Sequence, residues 1–223
     1  MAHVHQQPGQ HDLTVSAFIV RTDLQEPRVL VHRHKTLGIY LQVGGHVELD
    51  EQPWAALVRE VAEETGYDAD QLSVLQPQDR FQSPNAVVHP QPVCVHTVPF
   101  GTLNHYHIDM SYALVAASEP SGQRAAGESA DLRWLTLEDV RSSDLDIPED
   151  VRDQLEYVLN HVLKAWQPIP VTSFTTDDPV QGGMAAHHYG SNTHRSAVTG
   201  LWVVNSGRRV ASEDVADSID EDL

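Results

Sequence analysis

Residues 45–67, GHVELDEQPWAALVREVAEETGY, change their hydrophobic period at Pro53. From there to Thr65 the apolar positions Trp54, Leu57, Val58, Val61 and Ala62 recur at spacings of three and four, the stripe of an amphipathic helix. Pro53 suits the first helical turn, where its missing N–H has no partner to lose. Gly66 stands where a helix end takes a left-handed residue. Glu60, Glu63 and Glu64 lie at i, i+3 and i+4, so they project together, on a face expected opposite the stripe. Three carboxylates on one turn repel one another unless positive charge sits among them. Arg59 is a single guanidinium against four glutamates once Glu51 is counted. A divalent cation is the natural remedy, and oxygen-only donors select a hard ion: magnesium, with manganese or calcium as alternatives. Magnesium also holds substrate phosphate oxygens, so the segment reads as a metal–phosphate site.

The segment resembles the Nudix box, G, five residues, E, seven residues, R-E-U-x-E-E-x-G-U, with U a bulky aliphatic residue. Gly45, Glu51, Arg59, Glu60, Val61, Glu63, Glu64 and Gly66 all fall in register, and Tyr67 replaces the final aliphatic position. Seven Gly, Glu and Arg positions match by accident on the order of 10⁻⁹ per starting point. REVAEE alone would be read as a solvated acidic face; the full register argues against that reading. The resemblance implies an α/β fold, a Nudix-type α/β/α sandwich with a mixed, curved β-sheet. It also implies metal-dependent hydrolysis, by water, of a diphosphate linkage in a nucleoside diphosphate derivative or nucleoside triphosphate. Carried over by position, Glu60, Glu63 and Glu64 are metal-binding and base-supplying carboxylates, with Mg2+ or Mn2+ as the ion. Gly45 would offer its carbonyl to a metal, Arg59 would hold the glutamates by ion pairing, and Glu51 would support the loop or a second metal. Glu128, before Leu132 and Trp134, resembles a family position where a further carboxylate reaches the metals. Which glutamate is the base stays open.

Outward from the box, the pattern predicts strands over Thr14–Thr22, Arg28–Lys35 and Ile39–Val43, the last broken by Gly44-Gly45. Residues 76–92 read as a Pro- and Gln-rich loop. Pro92–Val98 and His105–Ala116 read as strands, residues 118–131 as a polar loop and residues 132–136 as a short strand. A second helical stripe, Val151, Leu155, Val158, Leu159, Val162 and Trp166, follows Pro148 and stops at Pro168. These elements predict a flexible arm over residues 1–12, a catalytic domain over 13–168 and an acidic, disordered tail over 169–223. Within the tail, Thr199–Val204 around Trp202 is a candidate docking strand.

The chain has 223 residues, 32 acidic and 14 Lys or Arg, for a formal charge of −18. That balance argues against duplex nucleic acid or an anionic membrane as partner, since both need clustered cations. A small nucleotide remains compatible when divalent ions bridge it to carboxylates. Cys94 is the only cysteine, which excludes an internal disulfide and fits a reducing, cytoplasmic setting. No apolar run is long enough for a membrane span. A homodimer is a further expectation.

Other candidates are weaker signals. His105, His107 and Asp109 alternate onto one strand face and are read as substrate contacts or as a polar face; three such groups also have the chemistry of a transition-metal site. His46, next to the box glycine, is a candidate phosphate contact. Cys94 and His96 share a strand face, but a cysteine nucleophile has no further support, and no Gly-x-x-x-x-Gly-Lys phosphate loop occurs. The alternative to hydrolysis is a non-catalytic, nucleotide-sensing Nudix domain whose tail contacts a partner; an isomerase on the same fold is a third reading.

Overall fold

The computed structural model describes residues 8–83, 86–100 and 105–178, all within a compact unit spanning Met1–Met184. Expectations for residues 1–7 and 179–223, including the Trp202 strand and the acidic end, lie outside the described residues.

The fold is organised by β1 (His11–Arg21) and β7 (His105–Ala116), which run parallel in unbroken register from His11↔Tyr106 to Arg21↔Ala116. β1 is β-branched and apolar on both faces, and a strand of that kind persists only where both faces are covered. Around the pair lie β2 (Arg28–Arg33), β3 (Tyr40–Leu41), β4 (Val43–His46), β5 (Leu72–Gln76), β6 (Cys94–Phe100), β8 (Leu132–Leu135) and β9 (Gln167–Pro170). Their pairings are antiparallel, so the sheet is mixed. It also forks. The first half of β1 pairs with β4 and its end with β2, while β7 pairs first with β6 and then with β5.

Helices cover both faces. α1 (Pro53–Thr65) packs Trp54, Leu57 and Val61 on Val15, Ala17, Ile19, Tyr112 and Leu114. α2 (Leu137–Ser142) and α3 (Glu149–Tyr157) pack Val140, Val151 and Leu155 on Phe18, Val20, Val29 and Val31. The α/β/α sandwich expected from the box is therefore the observed architecture. α1 has the expected bounds, and Gly66 closes it with φ +78°. The second helix continues through a π turn at Val158–Val162 to Ala165. Three elements had no strong pattern: α2, started by the reciprocal Thr136–Asp139 cap, and the short strands β5 and β9.

Both expected boundaries move. The expected arm reaches residue 12, yet His11 and Asp12 already belong to β1, because the backbone pairs with β7 there whatever the side chains are. The expected domain ends at 168, yet β9 pairs with β5, Val171 is buried, and the Phe174 ring lies 5.7 Å from that of Trp54. Pro168 and Pro170 stop a helix but are tolerated on a sheet edge, where a missing N–H costs little. Residues 169–178 are thus described as part of the domain rather than as tail.

Candidate active site

α1 carries its glutamates differently from a face turned wholly to water. Glu60 and Glu64 flank the apolar stripe and are 1% and 6% exposed; only Glu63 is exposed. The correction is geometric: at 100° per residue, positions 60 and 64 fall beside the stripe rather than opposite it. Arg59 gathers the segment. Its guanidinium donates to both Glu51 oxygens (2.6 and 3.1 Å), to Glu60 Oε1 (2.8 Å), to Glu63 Oε2 (3.4 Å) and to the His46 carbonyl (3.2 Å). One planar fork thereby ties the box loop to the helix, a role that a lysine point charge fills less well. The same guanidinium holds Glu51 below the usual carboxylate range.

Among the described residues, no guanidinium pairs with Glu64. Burial pushes its carboxyl up to about 8, against the Gly44 N–H that donates to Oε2 at 2.8 Å, and the nearby charges of Glu60 and Glu128 push the same way. Burial also raises Glu60, offset by Arg59. His32 Nδ1 approaches Glu64 Oε1 at 3.7 Å, but burial lowers His32 to about 4. Burial thus works against the charged form of both partners of this contact.

Glu128 arrives on the 118–131 loop, which is fastened to the end of α1. Gly122 N–H donates to the Gly66 carbonyl (2.9 Å) and Ala125 N–H to the Glu63 carbonyl (2.7 Å). At Gly66 the positive φ leaves little room for a side chain, and a Cβ would stand 2.7 Å from the Gly122 carbonyl oxygen. Lys35 Nζ lies 3.2 Å from Glu128. Beside Glu128 opens a cleft of about 540 Å³, lined among others by Leu30, Tyr67, Arg124, Leu132 and Trp134.

Among the described residues, the ligating atoms of these carboxylates are not gathered within 4.8 Å of one another as those of Asp12, His105 and His107 are; what the box offers a hard divalent cation is its donor chemistry. Glu60, Glu63, Glu64 and Glu128 present oxygens alone, and buried carboxyls that resist ionisation are those a cation would stabilise as anions. Gly45 lies in β4 opposite Val15. Its neighbour Gly44, expected only as part of a strand break, donates to Glu64 and has φ +148°, with no space for a Cβ against the Val15 carbonyl. The Gly-Gly pair was the available signal. His32, Lys35 and Asp12 were likewise missed as participants.

The remaining candidates occupy the other sheet face. Asp109 is buried and accepts hydroxyl hydrogen bonds from Thr14 (2.8 Å), Ser16 (2.6 Å) and Ser111 (2.7 Å). That network commits both its oxygens within the sheet. His46, His105 and His107 gather instead around Asp12. No helix among the described residues is long and apolar enough to cross a membrane.

A family model described as NUDIX domain matches residues 10–157. No curated protein sequence matches the chain. Among solved structures, a NUDIX-family hydrolase from Clostridium perfringens is 29% identical, covering 67% of this chain and 96% of its own, with a TM-score of 0.53. A NUDIX hydrolase from Nitrosomonas europaea is 16% identical, covering 76% of this chain and 100% of its own, with a TM-score of 0.50; at that identity it shows the fold alone.

Proposed function

The chain belongs to the NUDIX domain family, whose hydrolases act on nucleoside diphosphate derivatives, and from that premise we propose that it is a magnesium- or manganese-dependent pyrophosphohydrolase. The observation that carries this reading is the pairing of Glu60 and Glu64, both buried one helical turn apart, with one guanidinium between the box carboxylates and none on Glu64. Glu60, Glu63, Glu64 and Glu128 would hold the ion. Bound there, it would supply charge neutralisation across a diphosphate and favour ionisation of an attacking water.

The chain's own residues do the rest. Arg59 keeps Glu51, Glu60 and Glu63 aligned, and the Gly44 N–H orients Glu64. A carboxylate of the set takes the proton as water attacks phosphorus, a step that depends mainly on positioning and electrostatics. The cleft beside Glu128 offers Tyr67 and Trp134 as apolar walls and Arg124 as a cation for the nucleoside diphosphate.

The test is a hydrolysis screen over ADP-ribose, dinucleotides, nucleotide sugars and oxidised nucleoside triphosphates, with each metal, in labelled water to mark the phosphorus attacked. Release of a nucleoside monophosphate, absent from Glu64→Gln, supports the proposal. Tight nucleotide binding without release across the panel replaces it with the nucleotide-sensing reading. Gln variants at 60, 63 and 64 separate the roles: loss of a ligand raises the metal concentration needed, whereas loss of the base lowers kcat at saturating metal.

A further inference from the structure

A second cluster of ligating side chains lies across the sheet from the glutamates. Asp12 and His107 are register partners in the parallel β1–β7 pair, so their side chains emerge on the same face. His105 precedes His107 by one same-face step. Thr14, which shares the face of Asp12, pairs with His46 of β4, and so brings a third imidazole from another strand. This face continues into Phe18 and Ala113, which pack under α3, whereas the α1 core takes the alternate residues. The cluster and the box glutamates are therefore on opposite faces.

One donor atom each from Asp12, His105 and His107 lies within 4.8 Å of the others. His105 Nε2 is 3.2 Å and His46 Nε2 is 3.4 Å from the same oxygen, Asp12 Oδ2. A tetrahedral zinc with bonds of about 2.0–2.1 Å sets its ligand atoms about 3.4 Å apart. Two of the separations, 3.2 and 3.4 Å, lie close to that value. The rings are held by packing: Phe100 stacks on His107 at 4.4 Å, and His46 and His105 meet it edge-on at 4.9 and 5.3 Å. The Asp12 side chain is fully buried. A buried carboxylate requires compensation, and imidazoles supply it either as protonated partners or as co-ligands of a metal.

We propose that Asp12, His105 and His107, with His46 beside them, form a binding site for a zinc-type divalent transition metal. Imidazole nitrogen is a borderline donor that suits zinc, cobalt or nickel and is a poor ligand for magnesium, so the two faces select different ions. A metal there clamps the start of β1 to β7 and to the box strand β4. The proposal is independent of the nucleotide chemistry.

The experiment uses the full-length protein, stripped by chelator and kept in excess Mg2+ so that hard-ion sites are occupied, then titrated with Co2+. The expected result is one Co2+ per chain with the strong visible absorption of a four-coordinate site, bleached by stoichiometric Zn2+. Zn2+ at a hundredfold excess over Kd raises Tm by about 5–10 °C. Asp12→Asn and His105→Gln abolish the spectrum. Glu64→Gln and the double variant His3→Ala/His5→Ala retain it. A spectrum retained by the first pair, or lost in Glu64→Gln or in the double variant, overturns the assignment. Where the cluster variants do not fold, the wild type decides: Zn2+ must shift the ring NMR signals of His105 and His107, and unshifted rings overturn it.

Discussion

On one side of the β1–β7 pair, Glu60 and Glu64 stand buried on a helix with Arg59 alone among the box carboxylates. On the other side, Asp12 lies buried among the imidazoles of two neighbouring strands. Both regions hide carboxylate from water, which is costly unless the charge is compensated. The helix does so with a period near 3.6 and oxygen donors, leaving Glu64 with a proton affinity that a hard cation would have to overcome. The sheet does so with a period of 2 and nitrogen donors brought from two strands to a carboxylate on a third. The contrast teaches that the chemistry of each centre follows from the element that carries it. A helix repeats one residue type along its own sequence, whereas a sheet assembles ligands from distant segments.

The largest expected effect is on the helix side alone. Glu64→Gln should lower the rate of hydrolysis by about 10²–10⁴-fold, through the lost ligand or the lost base, read as phosphate-containing product, and should leave the Co2+ spectrum of the opposite face intact. Undiminished turnover would remove the reason for separating the two faces by function.

Gly44 joins the regions, since its N–H holds Glu64 while its strand carries His46. Gly44→Ala should destabilise the fold by about 3 kcal/mol, because the added Cβ meets the Val15 carbonyl at a positive φ. Urea unfolding measures this. A neutral outcome would mean that β4 can shift without cost, and that the two faces are less rigidly joined than the register implies.

Glu128 reaches the helix side from a loop. Glu128→Gln should cost about tenfold in kcat, or about 1.4 kcal/mol, with little change in Tm. A loss as large as that of Glu64→Gln would place the loop on equal terms with the helix.

The smallest effect is in acid. The guanidinium of Arg59 depresses the folded-state pKa of Glu51 below its ordinary 4.5. The stability it contributes is therefore present above that value and lost as pH falls through the folded one, by about 1 kcal/mol at most for a pair of this exposure. Comparison of Tm against pH for wild type and Glu51→Gln over the acid range checks it. An identical slope in both would show that Arg59 holds the loop through the His46 carbonyl and Glu60 rather than through Glu51.

Much of the helix side was legible because helical geometry is local. The spacing of Trp54, Leu57 and Val61 fixed the buried face, Pro53 and Gly66 marked the ends, and the glutamate spacing followed. What that spacing could not supply was the depth of burial of Glu60 and Glu64, which depends on β4 and the 118–131 loop closing over the helix. On the sheet side, alternation put His105, His107 and Asp109 on one face, yet gave no means of telling them apart. Asp109 meets three hydroxyls, while the histidines meet Asp12, which looked like part of an arm. β5 and β9 escaped for a related reason: four or five residues carry too little periodicity, and their strand character comes from the neighbours they pair with.

The sequence by itself determined the family, the box helix with its limits, and the identity of its carboxylates, because all of these are written in contiguous residues whose relative placement a single helix fixes. The tertiary structure alone decided that Asp12 faces His105 and His107 some 95 residues away, that Gly44 rather than its neighbour holds Glu64, and that Phe174 closes over Trp54. Those pairings are set by strand register and core packing, which join segments that no local period relates.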